Sequence, residues 1–508
     1  MRTRIGLGLL FSLTFACSSA SRTTAGKDAG PSRDGASHAD AKPSDGSTVE
    51  GGQTCTLSLP SPEDWHLVTD GTLFKDTLGR IVFLRGVDAG GRSKFAPYVP
   101  FDYPDAGYAS ALDAYMAHAQ AWGIDAMRVP FTWAALQPTP SPTPTYNTAW
   151  IAQYVALLQS AWAHGIYTIV DFHQDVYSEN LCGDGFPGWT LPSDGGADAA
   201  PMHDCPEWQL EYFSDTEVQA AFDRFWPTSS PAMAGYYAVW DEMISQVSTI
   251  PGVIGFEPFN EPAAGSATLS TFEATTLTSF YSSIATHMNQ KAPNALVFFD
   301  GTELDGVSVS TSLGKPQGTN LVFAPHFYPI GDMTEQAVES GLSVWAGLGK
   351  TWNVPVIVGE FGASNQSDTT LPYIQSIFNG LDALGLSGTE WEYSQSVDIW
   401  NSETDTIVAP DGGEYPVAQA VIRPYARAVA GTDITQSFTP GSSLGTGTYT
   451  LSYTASSGVT EVRLPTRSLT GPKLDVTGAC ADTTHAGLLL LQGVSGKPVR
   501  VTVTGSSH

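Results

Sequence analysis

Two glutamates carry the strongest chemical signal in this sequence. Glu261 closes Gly255-Phe256-Glu257-Pro258-Phe259-Asn260-Glu261-Pro262, and Glu360 stands in Val356-Ile357-Val358-Gly359-Glu360-Phe361-Gly362. Each ends a short apolar run that reads as a buried strand. A carboxylate at the mouth of a buried strand is costly unless it is solvated, paired or used. Two of them at strand ends of a chain that alternates strands and helices make a carboxylate pair across a barrel mouth. That pair is the equipment for cleaving a glycosidic bond: one group attacks or activates water, the other protonates the departing oxygen.

The elements that must hold them follow from periodicity. Thr72-Leu73-Phe74-Lys75-Asp76 and the run from Arg80 to Gly86 read as a hairpin leading into a first core strand. Further strand-like runs cover 126–131, 166–172, 253–259, 296–300, 321–326, 354–359 and 386–391. Amphipathic helical stretches such as 106–122, 151–164 and 272–292 lie between most of them. Eight strand candidates with intervening helices give an α/β chain folded as a (β/α)8 barrel. A doubly wound sheet is the competitor, but no Gly-rich phosphate loop follows the first strand and polar residues end many different strands. From about Thr432 the texture changes to Ser/Thr/Gly-rich short runs, which indicates a C-terminal all-β sandwich. The expected division is a barrel over 55–431 and a sandwich over 432–508.

The 508 residues are 42% hydrophobic and carry a net charge of −28, enough for a large core and the wrong sign for nucleic acid. Arg2 and Arg4 precede an apolar stretch too short to span a bilayer, so residues 1–17 read as a bacterial signal peptide. Thr14-Phe15-Ala16-Cys17 resembles a lipobox, with Cys17 as the lipidated residue; cleavage after Ala20 is the alternative. Residues 18–54 hold almost no large apolar side chain and read as a flexible tether. Cys182 and Cys205 flank a Gly/Asp/Pro-rich loop and suit a local disulfide, which leaves Cys55 with Cys480, although four cysteines allow three pairings. The cysteine and histidine spacings contain no zinc signature, and no cofactor is implied. The expected location is outside the cytoplasm, secreted or as a cell-envelope lipoprotein tethered to the membrane.

Read in order, Arg128 in Met127-Arg128-Val129-Pro130, His173 in Asp171-Phe172-His173-Gln174-Asp175, Asn260-Glu261-Pro262, His326-Phe327-Tyr328, Glu360, and Trp391 in Glu390-Trp391-Glu392-Tyr393 resemble glycoside hydrolase family 5. The trailing sandwich, Gly90-Gly91-Arg92-Ser93-Lys94 and His173-Gln174-Asp175-Val176-Tyr177 are similar to its endoglycoceramidase-related branch. The resemblance implies a retaining β-glycosidase with Glu360 as nucleophile and Glu261 as acid/base, the latter kept protonated by burial and by the charge of Glu360. It implies that Arg128 and Tyr328 donate to Glu360 and keep it ionised, and that Asn260 meets the sugar 2-OH. Lys94, His173, Asp175 and His326 are expected to line the sugar site, with Trp391 as its stacking floor.

A glycoside with a hydrophobic aglycone, such as a glycosphingolipid, is the expected substrate. An endo-acting polysaccharide hydrolase is the runner-up, and a non-catalytic carbohydrate-binding lipoprotein a more distant one. Residues 178–226 form a long aromatic excursion after the third strand, in which Phe186 and Trp189 are expected to form an apolar wall for the aglycone; a satellite core under a loop is the competing reading.

Overall fold

A computed structural model describes residues 48–505 apart from 51–52, 62–63, 104–106, 142, 193–204, 206–207, 332 and 396–402. The export segment, Cys17 and the 18–54 segment up to residue 47 lie outside the described residues.

Eight parallel strands form the barrel. In chain order they are Arg85–Asp88, Ala126–Phe131, Tyr167–Phe172 and Val253–Glu257, then Leu296–Phe299, Leu321–Phe323, Ile357–Val358 and Ser387–Glu390. The sheet runs from the sixth strand back to the first and on to the eighth and seventh. A parallel bridge between Phe323 and Val356 closes it. Every residue of these strands is buried, as expected of strands covered on both faces. Register does the positioning: Asp88 pairs with Arg128 across the first two strands, and Asp171 with Glu257 across the third and fourth. Asp88 thereby faces the opposite charge of Arg128, while Asp171 and Glu257 are two acids set at one level for Arg128 to bridge.

The helices pack outside. Tyr108–Trp122 and Thr148–Ala163 follow the first and second strands. The second of these begins at Asn147, whose side chain accepts the Trp150 N–H. Pro231–Val247 starts on Ser230 in the same way, with proline in its first turn. The expected helix over 272–292 is a π-helical turn, Phe272–Leu277, continued by Thr278–Lys291. Among the described residues, no helix is long and apolar enough to cross a membrane.

Two sheets form the C-terminal sandwich. Five strands run in the order Thr48–Glu50, Lys473–Thr477, Pro498–Gly505, Gly447–Ala455 and Gly431–Pro440. The facing sheet has eight, in the order Gln53–Thr54, Ala479–Asp482, Leu488–Gly493, Thr460–Arg463, Tyr425–Val429, Ile81–Val82, Leu73–Lys75 and Val68–Asp70. Alternate residues of Lys473–Thr477 are buried, and Leu474, Val476, Leu489, Leu491, Val501 and Val503 fill the space between the sheets.

Two expectations change here. Thr48–Glu50 and Gln53–Thr54, read as part of a tether, are edge strands that pair with Lys473–Asp475 and with Cys480 and Ala481. Side-chain composition missed them because edge pairing uses main-chain hydrogen bonds, which any residue but proline supplies. The hairpin ahead of the first barrel strand forms, but its Ile81–Val82 strand pairs with Tyr425–Val429, so the sandwich sheet crosses the 431/432 boundary and draws in the N-terminal segment. The Cys55–Cys480 and Cys182–Cys205 disulfides are both present.

Candidate active site

Arg128 organises the mouth of the barrel. Its guanidinium is fully buried and donates to both oxygens of Glu257, at 2.8 and 3.0 Å. It also donates to Glu360 Oε1 at 2.6 Å, Asn260 Oδ1 at 2.7 Å and Asp88 Oδ1 at 3.2 Å, and Asp171 Oδ2 lies 3.1 Å from it. One delocalised cation with a rigid fork of donors thus fixes the ends of four strands. The hydroxyl of Tyr328 donates to the other oxygen of Glu360, at 3.1 Å. Both oxygens of Glu360 therefore have a donor, and the carboxylate is held in one orientation.

Glu261 faces it. Its Oε1 lies 2.7 Å from His326 Nδ1, and that nitrogen is 3.5 Å from Glu360 Oε2. An oxygen of Glu261, a ring nitrogen of His326 and an oxygen of Glu360 all lie within 4.8 Å of one another. Glu261 has φ of +42°, a left-handed conformation uncommon for a side chain of its size. Gln174 stabilises that turn by donating to the carbonyls of Asn260 and Glu261 at 3.0 Å each.

The two faces of this pair differ electrostatically. Burial, reinforced by the charge of Asp175, pushes the Glu261 carboxyl up to about 7. After burial, the anion that adds most to it is Asp175, where the sequence pointed to Glu360. Burial also lowers His326, to about 4, so its ring is neutral near neutral pH. For His173 burial works the same way but is overridden by hydrogen bonding and charge from Asp171 and then Asp175, and its ring is held well above the usual range. His173 Nδ1 is 2.8 Å from Asp171, and Lys94 Nζ donates to Asp175 at 3.0 Å. The result is a charged row, Lys94–Asp175–His173–Asp171, beside a neutral His326.

A cavity of about 240 Å³ opens onto this constellation. Lys94, His173, Asp175, Glu261, Tyr328, Glu360 and Trp391 line it, as expected. Arg128 and His326 stand behind and hold Glu360 and Glu261 by hydrogen bonds, so His326, expected among the lining, supports it instead; Asn260 is bound to Arg128 and to the Gln174 carbonyl. Trp391 stacks on His173 with ring centres 5.3 Å apart and planes 11° apart, and Lys94 lies 4.9 Å from the Trp391 ring centre. A Cβ at Gly90 would come within 2.6 Å of that indole, so only glycine lets the loop after the first strand pass beneath it. Glu261, His326 and Glu360 have the spacing of a cation site, but hydrogen bonds to one another, to Arg128 and to Tyr328 already occupy them.

The opposite wall is apolar and differs from expectation. Phe186 is 1% exposed and packs among Phe172, Tyr177, Phe225 and Phe259. Trp189 packs on Trp133 and donates to the carbonyl of Gln137. Neither lines the cavity; the satellite-core reading is correct for both. The wall is Trp208, Tyr212 and Phe213, joined by Leu304 and Val307 from the short helix Glu303–Ser308. Phe213 is 51% exposed, and Tyr212 is anchored by accepting the Val176 N–H at 2.9 Å. Glu303, which the sequence offers only as a structural acid, also lines the cavity, as do Glu403 and Asp405, which the sequence does not single out. The aromatic content of the excursion pointed to the right segment and the wrong residues within it.

A model of the cellulase family, glycosyl hydrolase family 5, matches residues 94–397. Endoglycoceramidase I of Rhodococcus hoagii (strain 103S) is 24% identical over 406 residues, 72% of this chain and 73% of that protein. A glucosylceramidase of Cryptococcus neoformans var. grubii is 33% identical over 135 residues, 25% of this chain and 18% of that one. The fold matches the lactosyl-enzyme intermediate of endo-glycoceramidase II from Rhodococcus sp. with a TM-score of 0.70 at 24% identity, over 86% of this chain and all of the other. This chain belongs to glycosyl hydrolase family 5 and is a glycoside hydrolase.

Proposed function

We propose that this enzyme is a retaining β-glycosidase that removes sugar from glycosides with an apolar aglycone, glycosphingolipids above all. The observation that carries the reading is a single cavity in which a carboxylate pair within 4.8 Å meets an apolar wall. Retaining enzymes hold their two carboxyl groups about 5–5.5 Å apart, and inverting enzymes leave roughly 6.5–9.5 Å for a water molecule. In the first step Glu360 attacks the anomeric carbon while Glu261 gives its proton to the glycosidic oxygen, and the aglycone leaves as an alcohol. In the second, Glu261 takes a proton from water, whose oxygen displaces Glu360 from the sugar. Asn260 is held for the 2-OH: its Oδ1 accepts from Arg128 and its Nδ2 donates to the Gln174 carbonyl at 3.1 Å, leaving a second amide hydrogen.

The names of relatives support the aglycone. Endoglycoceramidases and glucosylceramidases act on sugars joined to ceramide, and endo-glycoceramidase II has been solved with ganglioside GM3. The test is turnover of lactosylceramide, glucosylceramide, aryl β-glycosides, carboxymethylcellulose and mannan by the native enzyme and by Glu360→Gln. The expected result is release of sugar from a ceramide glycoside by the native enzyme and none by the variant. Turnover of the polysaccharides with no action on either ceramide glycoside would replace this reading with a polysaccharide hydrolase.

Export and lipidation at Cys17 belong to the same proposal, supported by the charged and apolar pattern of residues 1–17 and by two disulfides that suit an oxidising compartment. Metabolic labelling with a fatty acid should mark the native protein and not Cys17→Ser; equal labelling, or none in either, rejects lipidation.

A further inference from the structure

Glu303 sits where the two halves of the cavity meet. It lines the cavity as the first residue of the helix Glu303–Ser308, whose Leu304 and Val307 belong to the apolar wall. Among the described residues its Oε2 is buried without a hydrogen-bond partner, although the residue as a whole is partly exposed. A buried carboxyl oxygen with no donor is costly, and one at the edge of a cavity can be satisfied by a group that enters it. The residue stands close enough to Glu261 for the two charges to interact, and Tyr212 of the wall feels both. Burial, offset slightly by its own N–H and reinforced by Glu261 and Glu273, pushes this carboxyl up to about 8, so it is a neutral acid at neutral pH.

Its position is fixed from below. Thr302 caps the helix in a reciprocal arrangement with Asp305. The Thr302 hydroxyl donates to Glu273 Oε1 at 3.2 Å, and Glu273 Oε2 accepts the Ser312 N–H at 2.7 Å. Both ends of the turn that presents Glu303 are therefore tied to Glu273. The side chain points from a rigid turn at the side of the acid/base, where a leaving group begins.

We infer that Glu303 determines leaving-group specificity, its carboxyl hydrogen-bonding the amide or hydroxyl that lies next to the glycosidic oxygen in a sphingoid aglycone. This rests on the aglycone reading above and deepens it. A simple alkyl aglycone buries equally well on Leu304, Val307 and Trp208 but offers no partner to Glu303. A site built to hydrogen-bond a group discriminates strongly against the analogue that lacks it, because its own polar atom is then left unpaired.

The experiment compares lactosylceramide with dodecyl β-lactoside, which carries the same glycan on a plain chain, in one detergent. Native enzyme, Glu303→Gln and Glu303→Leu are assayed, with an aryl β-lactoside as the control for folding and for the carboxylate pair. The native preference for the ceramide, as a ratio of kcat/KM values, should fall roughly tenfold in Glu303→Leu. It should persist in Glu303→Gln, whose amide offers a donor and an acceptor without charge, and in Glu303→Leu turnover of the aryl lactoside should fall less than turnover of the ceramide. An unchanged ratio in Glu303→Leu overturns the inference, and so does a Glu303→Gln ratio as low as that of Glu303→Leu. Equal losses on all three substrates overturn it too, because they place Glu303 in the common chemistry or the fold. A native enzyme that cleaves neither lipid-like lactoside rejects the aglycone reading itself, a separate result.

Discussion

The polar floor and the apolar wall of this cavity are built in different ways. The floor sits on strand ends and is cross-linked by hydrogen bonds: Arg128 alone holds Glu257, Glu360, Asn260 and Asp88. The wall sits on short helices inserted after the third and fifth strands, 208–214 and 303–308, and is held by packing and a few main-chain contacts. Directional bonding is placed where a reacting atom must be positioned to fractions of an ångström, and packed apolar surface where an apolar chain must only be kept from water. Floor variants should therefore change rate on every substrate, and wall variants should change preference among substrates.

The largest effect belongs to the carboxylates. Glu360→Gln should lower kcat by roughly 10⁴-fold or more on every glycoside, with little change in thermal stability. Glu261→Gln should cost as much on alkyl and ceramide glycosides but far less on aryl glycosides with acidic phenols, which leave without a proton. The pH profile has a sign: Glu261 is needed protonated and its carboxyl is raised to about 7, so kcat/KM on alkyl glycosides should fall as pH rises through about 7. In Glu261→Gln that limb should disappear.

Arg128→Met comes next. It strands the buried carboxyls of Asp88, Asp171, Glu257 and Glu360 without their cation, and breaking such a cluster costs about 3–5 kcal/mol. Denaturant unfolding should show that loss near neutral pH and a smaller one in acid, where the stranded carboxyls protonate. Phe186→Ala should destabilise to a similar degree, about 3–5 kcal/mol, because it empties space among packed rings, yet should leave the ratio of lipid to aryl glycoside turnover unchanged. A changed ratio would return Phe186 to the wall.

Phe213→Ser is the mildest variant and the most discriminating. Phe213 is half exposed, so stability should hardly move. Its kcat/KM for a ceramide glycoside should fall roughly tenfold and that for an aryl glycoside should not, since only the former covers the ring. Equal effects on both substrates would erase the distinction between floor and wall.

The same distinction explains what could be read from the sequence. The floor was legible because each residue follows a buried strand by a fixed short distance: Arg128 lies inside the second strand, His173 just past the third, Asn260 and Glu261 just past the fourth. Local pattern fixes such positions, and parallel register then brings them together. The wall was not legible, because Trp208 and Leu304 meet only through the path of two loops, and no local signal tells the buried Phe186 from the half-exposed Phe213. The reach of the sandwich sheet back to Ile81–Val82 escaped for the same reason, since that hairpin looks alike whether it serves the barrel or its neighbour. For Glu261 the expected burial is the main cause of the shift, but the anion that adds to it is Asp175, which comes near only in the folded molecule.

The central claim is that Glu360 becomes covalently bonded to sugar while Glu261 stands opposite it. The direct measurement is mass spectrometry of the enzyme after incubation with an activated 2-deoxy-2-fluoro glycoside of matching sugar, followed by peptide mapping. The expected result is one added glycosyl group, on Glu360, and its slow loss as turnover resumes. A label on any other residue, or turnover with inversion at the anomeric carbon and no label, would contradict it.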